Sequence, residues 1–397
     1  MRIGLSTSLF ALEPQDDSGI GLHYRLLADE LATMGHRVYV IFATAEPERA
    51  RQAINRSPGG WTVDIVGTTL PKFLVRLAAS NWPRQTLLQQ LYDMTRLAHA
   101  TARAARRHQL EIIETHTFGA PLLLYLLTRR RITVVSRVCT TAGQLRAAST
   151  MRSRALACLE FLETQATKRS DVTITHTVGH RDEICSLVGL DPSRMHLVPL
   201  GVQEPPRTSA PTTPGTRPYV LFVGRFNARK GIDVLLEAIP AVMRERPDID
   251  FVLVGSHATS QEWRDFLVRE PDRCGGRVQA TGQVSRSELD RLLANCLLFV
   301  APSRYESFGL IYVEAMSHGK AVVGCRAGGI PDVVTDGVTG LLAEPGNAAD
   351  LASKIVTLLR DPDRMREMGQ AARKDFEARF TARRMAEASV ALYTQFV

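Results

Sequence analysis

The chain has 397 residues, 45% of them hydrophobic and 23% charged, and carries a net charge of +8. At roughly 100–200 residues per domain this is a two-domain globular protein, and the ordinary apolar fraction excludes a disordered chain. The positive balance reads first as a solvated basic surface, and second as suited to a phosphate-bearing partner. Basic residues are nevertheless spread along the chain, with no aromatic-interleaved stripe, so nucleic acid is not indicated.

Six cysteines stand at 139, 158, 185, 274, 296 and 325, none in a CxxC pair, which argues against a zinc ribbon or a thioredoxin-like site. Cys296 leads into Leu297-Leu298-Phe299-Val300, where a thiol behaves as a small hydrophobe. The N-terminus lacks the apolar core of a signal peptide, and no apolar run approaches the ~20 residues that span a bilayer. The expectation is a cytoplasmic protein with at most peripheral membrane contact.

In chain order, residues 2–9 read as a buried strand, followed by a polar loop with Gly19 and Gly21. Leu22, Leu26, Leu27 and Leu31 recur at helical spacing, Gly35 ends that helix, and 37–43 is a second strand. Further strands are expected at 62–66, 111–114, 133–138 and 172–175, with a long helix over 86–108. Residues 201–218 then turn Pro-, Thr-, Ser- and Gly-rich and read as a linker. The alternation resumes with strands at 219–223, 251–254, 278–280, 297–301 and 321–323, a helix over 231–243, and helices from 348 to the end. This pattern predicts two doubly wound α/β domains, 1–200 and 219–379, with ligands at the carboxyl ends of the strands in the cleft between them.

The most informative stretch is Glu306-Ser307-Phe308-Gly309-Leu310-Ile311-Tyr312-Val313-Glu314-Ala315, which follows a buried strand and opens a helix near Gly309. A helix start offers free N–H groups and a positive dipole end to an anion. Glu306 in the loop and Glu314 in the helix are on the order of 10 Å apart, a separation that lets one address a sugar hydroxyl and the other a ribose. Arg225 and Lys230 lie on a strand-to-helix loop, Gly224-Arg225-Phe226-Asn227-Ala228-Arg229-Lys230-Gly231, where two cations can converge on one diphosphate. Gly328-Gly329-Ile330-Pro331-Asp332 permits close backbone approach to a ligand.

These stretches together resemble the retaining GT-B glycosyltransferases of the large family that includes sucrose synthases, sucrose-phosphate synthases and phosphatidylinositol mannosyltransferases, glycosyltransferase family 4. The match is to E-[SG]-F-G-x-x-x-x-E-A, G-R-x-x-x-x-K-G and G-G-x-P-E, the last with Asp332 in place of glutamate. It is nearly continuous over the second domain and patchy over the first. The resemblance implies a GT-B fold whose final helix, 380–397, crosses back to the first domain, and a nucleotide-diphosphate sugar as donor, with UDP favoured and GDP open. It implies that Arg225 and Lys230 neutralise the diphosphate with the helix start at Ser307, Phe308, Gly309 and Leu310, that Glu314 binds the ribose and that Glu306 binds the sugar. Ala280-Thr281-Gly282-Gln283-Val284 looks like the edge that reads the base through Gly282 and Val284. Ser18-Gly19-Ile20-Gly21 is similar to the loop that covers the phosphate and sugar, with Ser18 where the family has glycine. His116, ending Ile112-Ile113-Glu114-Thr115, looks like the histidine beside the transferred sugar. No metal and no cofactor beyond the donor is implied.

Other classes fit less well. A dinucleotide oxidoreductase needs a third glycine where Tyr24 stands and an acid after Phe42-Ala43-Thr44. Asp248-Ile249-Asp250 matches D-x-D but precedes a buried strand, so it reads as a strand entry and not as a metal site. A phosphorylase of this architecture needs a pyridoxal lysine, which nothing marks; an epimerase or a non-catalytic nucleotide-sugar-binding protein is the remaining rival. The acceptor is expected to be a small molecule, natural product or oligosaccharide, with contacts in 70–82 and 139–150, among them Arg76, Thr140 and Thr141. The basic apolar stretch 72–77 keeps a glycolipid or cell-envelope acceptor as the alternative.

Overall fold

The computed structural model describes residues 1–12, 19–56, 59–69, 82–128, 131–147, 154–205, 217–256, 260–270 and 276–397. They divide into two compact units: residues 1–176, 181–199 and 382–397 form the first, and 177–180 with 200–381 the second. Most of the Pro/Thr-rich stretch, 206–216, lies outside the described residues, as do Ser18 and the acceptor-loop residues 70–81 and 148–150.

The first unit runs β1 (Arg2–Thr7), α1 (Gly19–Thr33), β2 (Arg37–Thr44), α2 (Pro47–Arg56), β3 (Thr62–Gly67), α3 (Trp82–Arg107), β4 (Ile112–His116), α4 (Leu123–Leu126), β5 (Thr133–Arg137), α5 (Ala142–Ala147), α6 (Arg154–Arg169), β6 (Val172–Thr175), α7 (Val178–Val188, whose first turn through His180 counts with the second unit) and β7 (Met195–Leu197). Its strands form one parallel sheet in the order β3-β2-β1-β4-β5-β6-β7. All of β4 and β6 and nearly all of β1 are buried, as parallel strands covered on both faces must be. Strand order reverses between β1 and β4, so the carboxyl ends of these two strands form the switch point where such sheets bind ligands.

The second unit runs β8 (Tyr219–Val223), α8 (Ile232–Glu245), β9 (Asp250–Val254), α9 (Gln261–Arg269), β10 (Val278–Gly282), α10 (Arg286–Asn295), β11 (Leu298–Val300), α11 (Leu310–Ser317), β12 (Val322–Cys325), α12 (Ile330–Val333), β13 (Gly340–Ala343), α13 (Ala348–Arg360) and α14 (Pro362–Arg379). Its parallel sheet has the order β10-β9-β8-β11-β12-β13, with the switch point between β8 and β11. The apolar stripe of α8 (Leu235, Leu236, Ile239, Val242) packs with Leu351, Ile355 and Leu358 of α13 in one core. Asp248 and Asp250 are held by Arg246 and Arg277, consistent with the strand-entry reading of that pair.

A final helix, α15 (Ala382–Tyr393), belongs to the first unit and packs on α1. A buried polar cluster fixes it there. Arg137, fully buried at the end of β5, donates from Nε to Glu114 of β4 at 2.8 Å, from Nη1 to the Val198 carbonyl at 3.1 Å, and from Nη2 to Ser389 of α15 at 3.4 Å. The Tyr393 hydroxyl donates to the other Glu114 oxygen, and His23 Nδ1 lies 3.1 Å from Met385 Sδ. Burial alone raises the Glu114 pKa, but Arg137 and His23 overcome it and hold the carboxyl at about 2.

Candidate active site

In the second unit the loops after β8 and β11 are joined to each other. The Arg304 amide donates to the Arg229 carbonyl at 2.9 Å, and its guanidinium reaches the Ala228 carbonyl at 2.6 Å and both Asp233 oxygens at 2.7 Å. Asn227 closes the first loop by accepting the Lys230 amide at 3.0 Å. Gly231 then adopts φ +70°, and a Cβ there would sit 1.9 Å from the Pro302 carbonyl oxygen, so only glycine lets the two loops meet.

Glu306 is the product of this junction. Lys230 Nζ donates to its Oε1 at 2.5 Å, Ser303 Oγ to the same oxygen at 2.9 Å, and Arg229 Nη1 approaches Oε2 at 3.4 Å. The carboxylate is 7% exposed. It does not cap α11: the N-cap is Gly309, which has no side chain to do so, and the first N–H groups of that helix have no intrahelical partners. The glycine pair 328–329 approaches closely, as its composition predicts, but what it approaches is the chain itself. The Gly329 amide donates to the Glu306 carbonyl at 2.8 Å, and a Cβ at Gly328 would lie 2.4 Å from that oxygen.

The structure separates the two expected phosphate ligands. Lys230 is on Glu306, whereas Arg225 is exposed and its side chain has no partner among the described residues. Arg229 takes the place beside the carboxylate, and its only local signal in the sequence is adjacency to Lys230. Glu314 is inside α11 as expected, but Arg286 of α10 holds it at 2.5 Å and also binds Asp290 at 2.9 Å. Nothing local in the sequence marks Arg286. Of the helix-start residues, Phe308 faces inward against Phe380, with ring centroids 5.7 Å apart, so only its backbone can face a ligand; Ser307 and Leu310 are half-buried. Gly282 ends β10 with its carbonyl accepting the Gly255 amide at 2.9 Å, and Val284 is half-buried beyond it.

In the first unit His116 ends β4 at the switch point and is 1% exposed. The Ser8 amide donates to its Nε2 at 3.4 Å, which leaves the ring proton on Nδ1. Burial drives its pKa down to about 4, so the ring is neutral near pH 7 and acts through hydrogen bonds. Gly19 and Gly21 do not form a loop before the helix; they are in its first turn, α1 starting at Gly19. Glycine is tolerated there because the first N–H groups of a helix lie outside its hydrogen-bond ladder. Thr141 and Gln144 cap α5 reciprocally, amide to side chain, at 3.0 and 3.3 Å. Arg76 lies outside the described residues.

Two families cover most of this chain. Residues 18–204 match the family described as Glycosyltransferase Family 4, and residues 207–375 match Glycosyl transferases group 1. The chain belongs to the family 4 glycosyltransferases. A curated relative of this family 4 chain is the alpha-maltose-1-phosphate synthase of Mycolicibacterium smegmatis, 32% identical over 257 residues, which are 59% of this chain and 65% of that protein. The chain spans about half the length of the curated relatives it matches. Among solved structures, the sucrose-phosphate synthase of Thermosynechococcus elongatus superimposes with a TM-score of 0.76 at 22% identity, covering 100% of this chain and 99% of that one. HepE of Anabaena in complex with UDP superimposes with a TM-score of 0.72 at 18% identity over 100% of both chains. The fold is therefore GT-B, with two Rossmann-like domains.

Proposed function

We propose that this chain is a retaining, metal-independent glycosyltransferase that moves a hexose or N-acetylhexosamine from a nucleoside diphosphate, UDP in the first instance and GDP otherwise, to a hydroxyl of a small-molecule or oligosaccharide acceptor. The observation that carries this reading is the Glu306 carboxylate held by Lys230, Ser303 and Arg229 directly before the start of α11. A carboxylate so ringed by donors is fixed in one orientation, with lone pairs left to accept a hydrogen bond from a sugar hydroxyl. Arg225, exposed and with no side-chain partner among the described residues, together with the N–H groups at the start of α11 and Lys230, supplies positive charge where a departing diphosphate needs it. Glu314, oriented by Arg286, offers an oxygen to the ribose. UDP is favoured because a structure of this fold, HepE, holds it.

In the transfer itself the bond between the sugar's anomeric carbon and the phosphate oxygen breaks, and the acceptor oxygen bonds to that carbon on the same face. The acceptor proton passes to the departing phosphate oxygen, yielding a glycoside and the nucleoside diphosphate. His116, buried at the end of β4 and neutral near pH 7, can act through hydrogen bonds and supplies no charge. The test is incubation with UDP-, GDP-, ADP- and dTDP-sugars, followed by proton NMR for donor cleavage. One donor should be cleaved slowly by wild type. Glu306→Gln should lose at least a hundredfold in rate while nucleotide affinity stays within a few-fold. Unchanged turnover in that variant would remove Glu306 from the site.

A further inference from the structure

The turn that follows His116 is strained and pinned from two sides. Gly119 has φ +74° and the next residue, Ala120, has φ +49°, a conformation that a residue with a side chain rarely adopts. The Gly119 amide donates to Glu163 Oε1 at 2.9 Å, and the side chain of Gln90 on α3 donates to the Gly119 carbonyl. The second oxygen of the same carboxylate accepts the amide of Ala142, the first residue of α5, at 2.7 Å. Glu163 lies on α6 and is 2% exposed. A single buried carboxylate thus ties the exits of β4 and β5, the two loops beside His116 and Thr141, to one helix. No packing need calls for an acid here: a buried charge is costly unless it is used, and both its oxygens are spent on loop backbone.

We propose that Glu163 is a positioning residue for the acceptor side of this enzyme, holding the turn after His116 and the start of α5 in one geometry while ionised and loosening both when it takes up a proton. Assigning that side to an acceptor rests on the transferase reading above; the clamp itself does not. Among the described residues, the charges around Glu163 are Glu160, one turn earlier on α6, and Arg146 of α5, which holds Glu160 at 2.6 and 3.1 Å. Gln90 on α3 is neutral, and the Cys139 thiol, pushed up to about 12 by burial, is neutral too. Burial outweighs the two amide donors and lifts Glu163 to about 7, which puts the change in the physiological range.

The test is a pH titration of the ¹⁵N-labelled 397-residue chain between pH 5.5 and 8.5, following the Gly119 and Ala142 amides. They should shift together with one midpoint near 7 in wild type. In Glu163→Gln the transition should vanish, because a carboxamide has no proton to take up in this range, and its one acceptor oxygen can hold only one of the two N–H groups as before. In Glu163→Asp a common transition should return with a displaced midpoint. UDP binding by calorimetry should agree within threefold between wild type and Glu163→Gln. For whichever nucleotide sugar wild type cleaves, the acidic limb of the rate profile should share the amide midpoint and be absent in Glu163→Gln. Amides that titrate separately, or that titrate unchanged in Glu163→Gln, would overturn the clamp. An unchanged rate profile in that variant would overturn its positioning role. Wild-type protein that binds no UDP and cleaves no donor would instead sink the transferase reading, leaving the amide titration to decide the clamp.

Discussion

Acidification from pH 7 to pH 5 should destabilise the first unit by far less than its buried histidines imply, because Glu163 acts with the opposite sign. His23 and His116 are both held near 4, chiefly by burial, against an ordinary 6.5. Between those values the unfolded chain binds more protons than the native one, so stability falls as pH falls through that window. Over the interval from pH 7 to 5 each ring costs about 2 kcal/mol. Glu163 is held near 7 against an ordinary 4.5. Here the native state binds more protons between the two values, so stability rises as pH falls, by about 2 kcal/mol over the same interval. Glu114, held at about 2, is ionised in both states above pH 5 and adds little. The net loss is about 2 kcal/mol in wild type and about 4 kcal/mol in Glu163→Gln, where the offset is gone. Native-state hydrogen exchange at the buried β4 and β5 amides, such as those of Ile113 and Val135, reads the first unit separately from the second. Equal pH dependence in the two proteins, or a wild-type unit that gains stability on acidification, would refute the reasoning.

Arg137→Met should cost the first unit about 3–5 kcal/mol at pH 7, since it strands the Glu114 charge in the interior; the double variant with Glu114→Gln should recover part of the loss in thermal or denaturant unfolding. Gly231→Ala should destabilise the second unit by at least about 1–3 kcal/mol, because the added methyl meets the Pro302 carbonyl and φ is positive; hydrogen exchange in β8 and β11 measures it. Glu314→Gln should weaken UDP binding by about tenfold and 2′-deoxy-UDP binding by less, in calorimetric titrations, if the carboxylate serves the ribose.

Local patterning exposed the alternation of strands and helices in the sequence. The two strands it missed show why. β7 (Met195–Leu197) is three residues long, and β13 (Gly340–Ala343) is embedded in a glycine-rich run that reads as a turn. Neither is long enough to display a period, and each is defined by the strand beside it. The start of α1 reads late in the sequence for a related reason: Gly19 and Gly21 have low helical propensity, and only the packed helix shows that they lie in its first turn.

The candidate site divides along the same line. Glu306, Lys230, Glu314 and Gly309 were legible because they belong to short motifs whose residues are neighbours along the chain. Their pairings were not. Arg286 reaches Glu314 across 28 residues and Glu163 reaches Gly119 across 44. Glu114 meets Tyr393 only because the final helix returns to the first unit, 279 residues later. An isolated arginine or glutamate on a helix looks the same in sequence whether water or a buried partner awaits it. Sequence alone therefore displayed the alternation of the longer elements and the motifs, since both are short-range properties. Which carboxylates are buried, paired and shifted in pKa was decided by tertiary structure, because only packing removes water and sets the distance between charges.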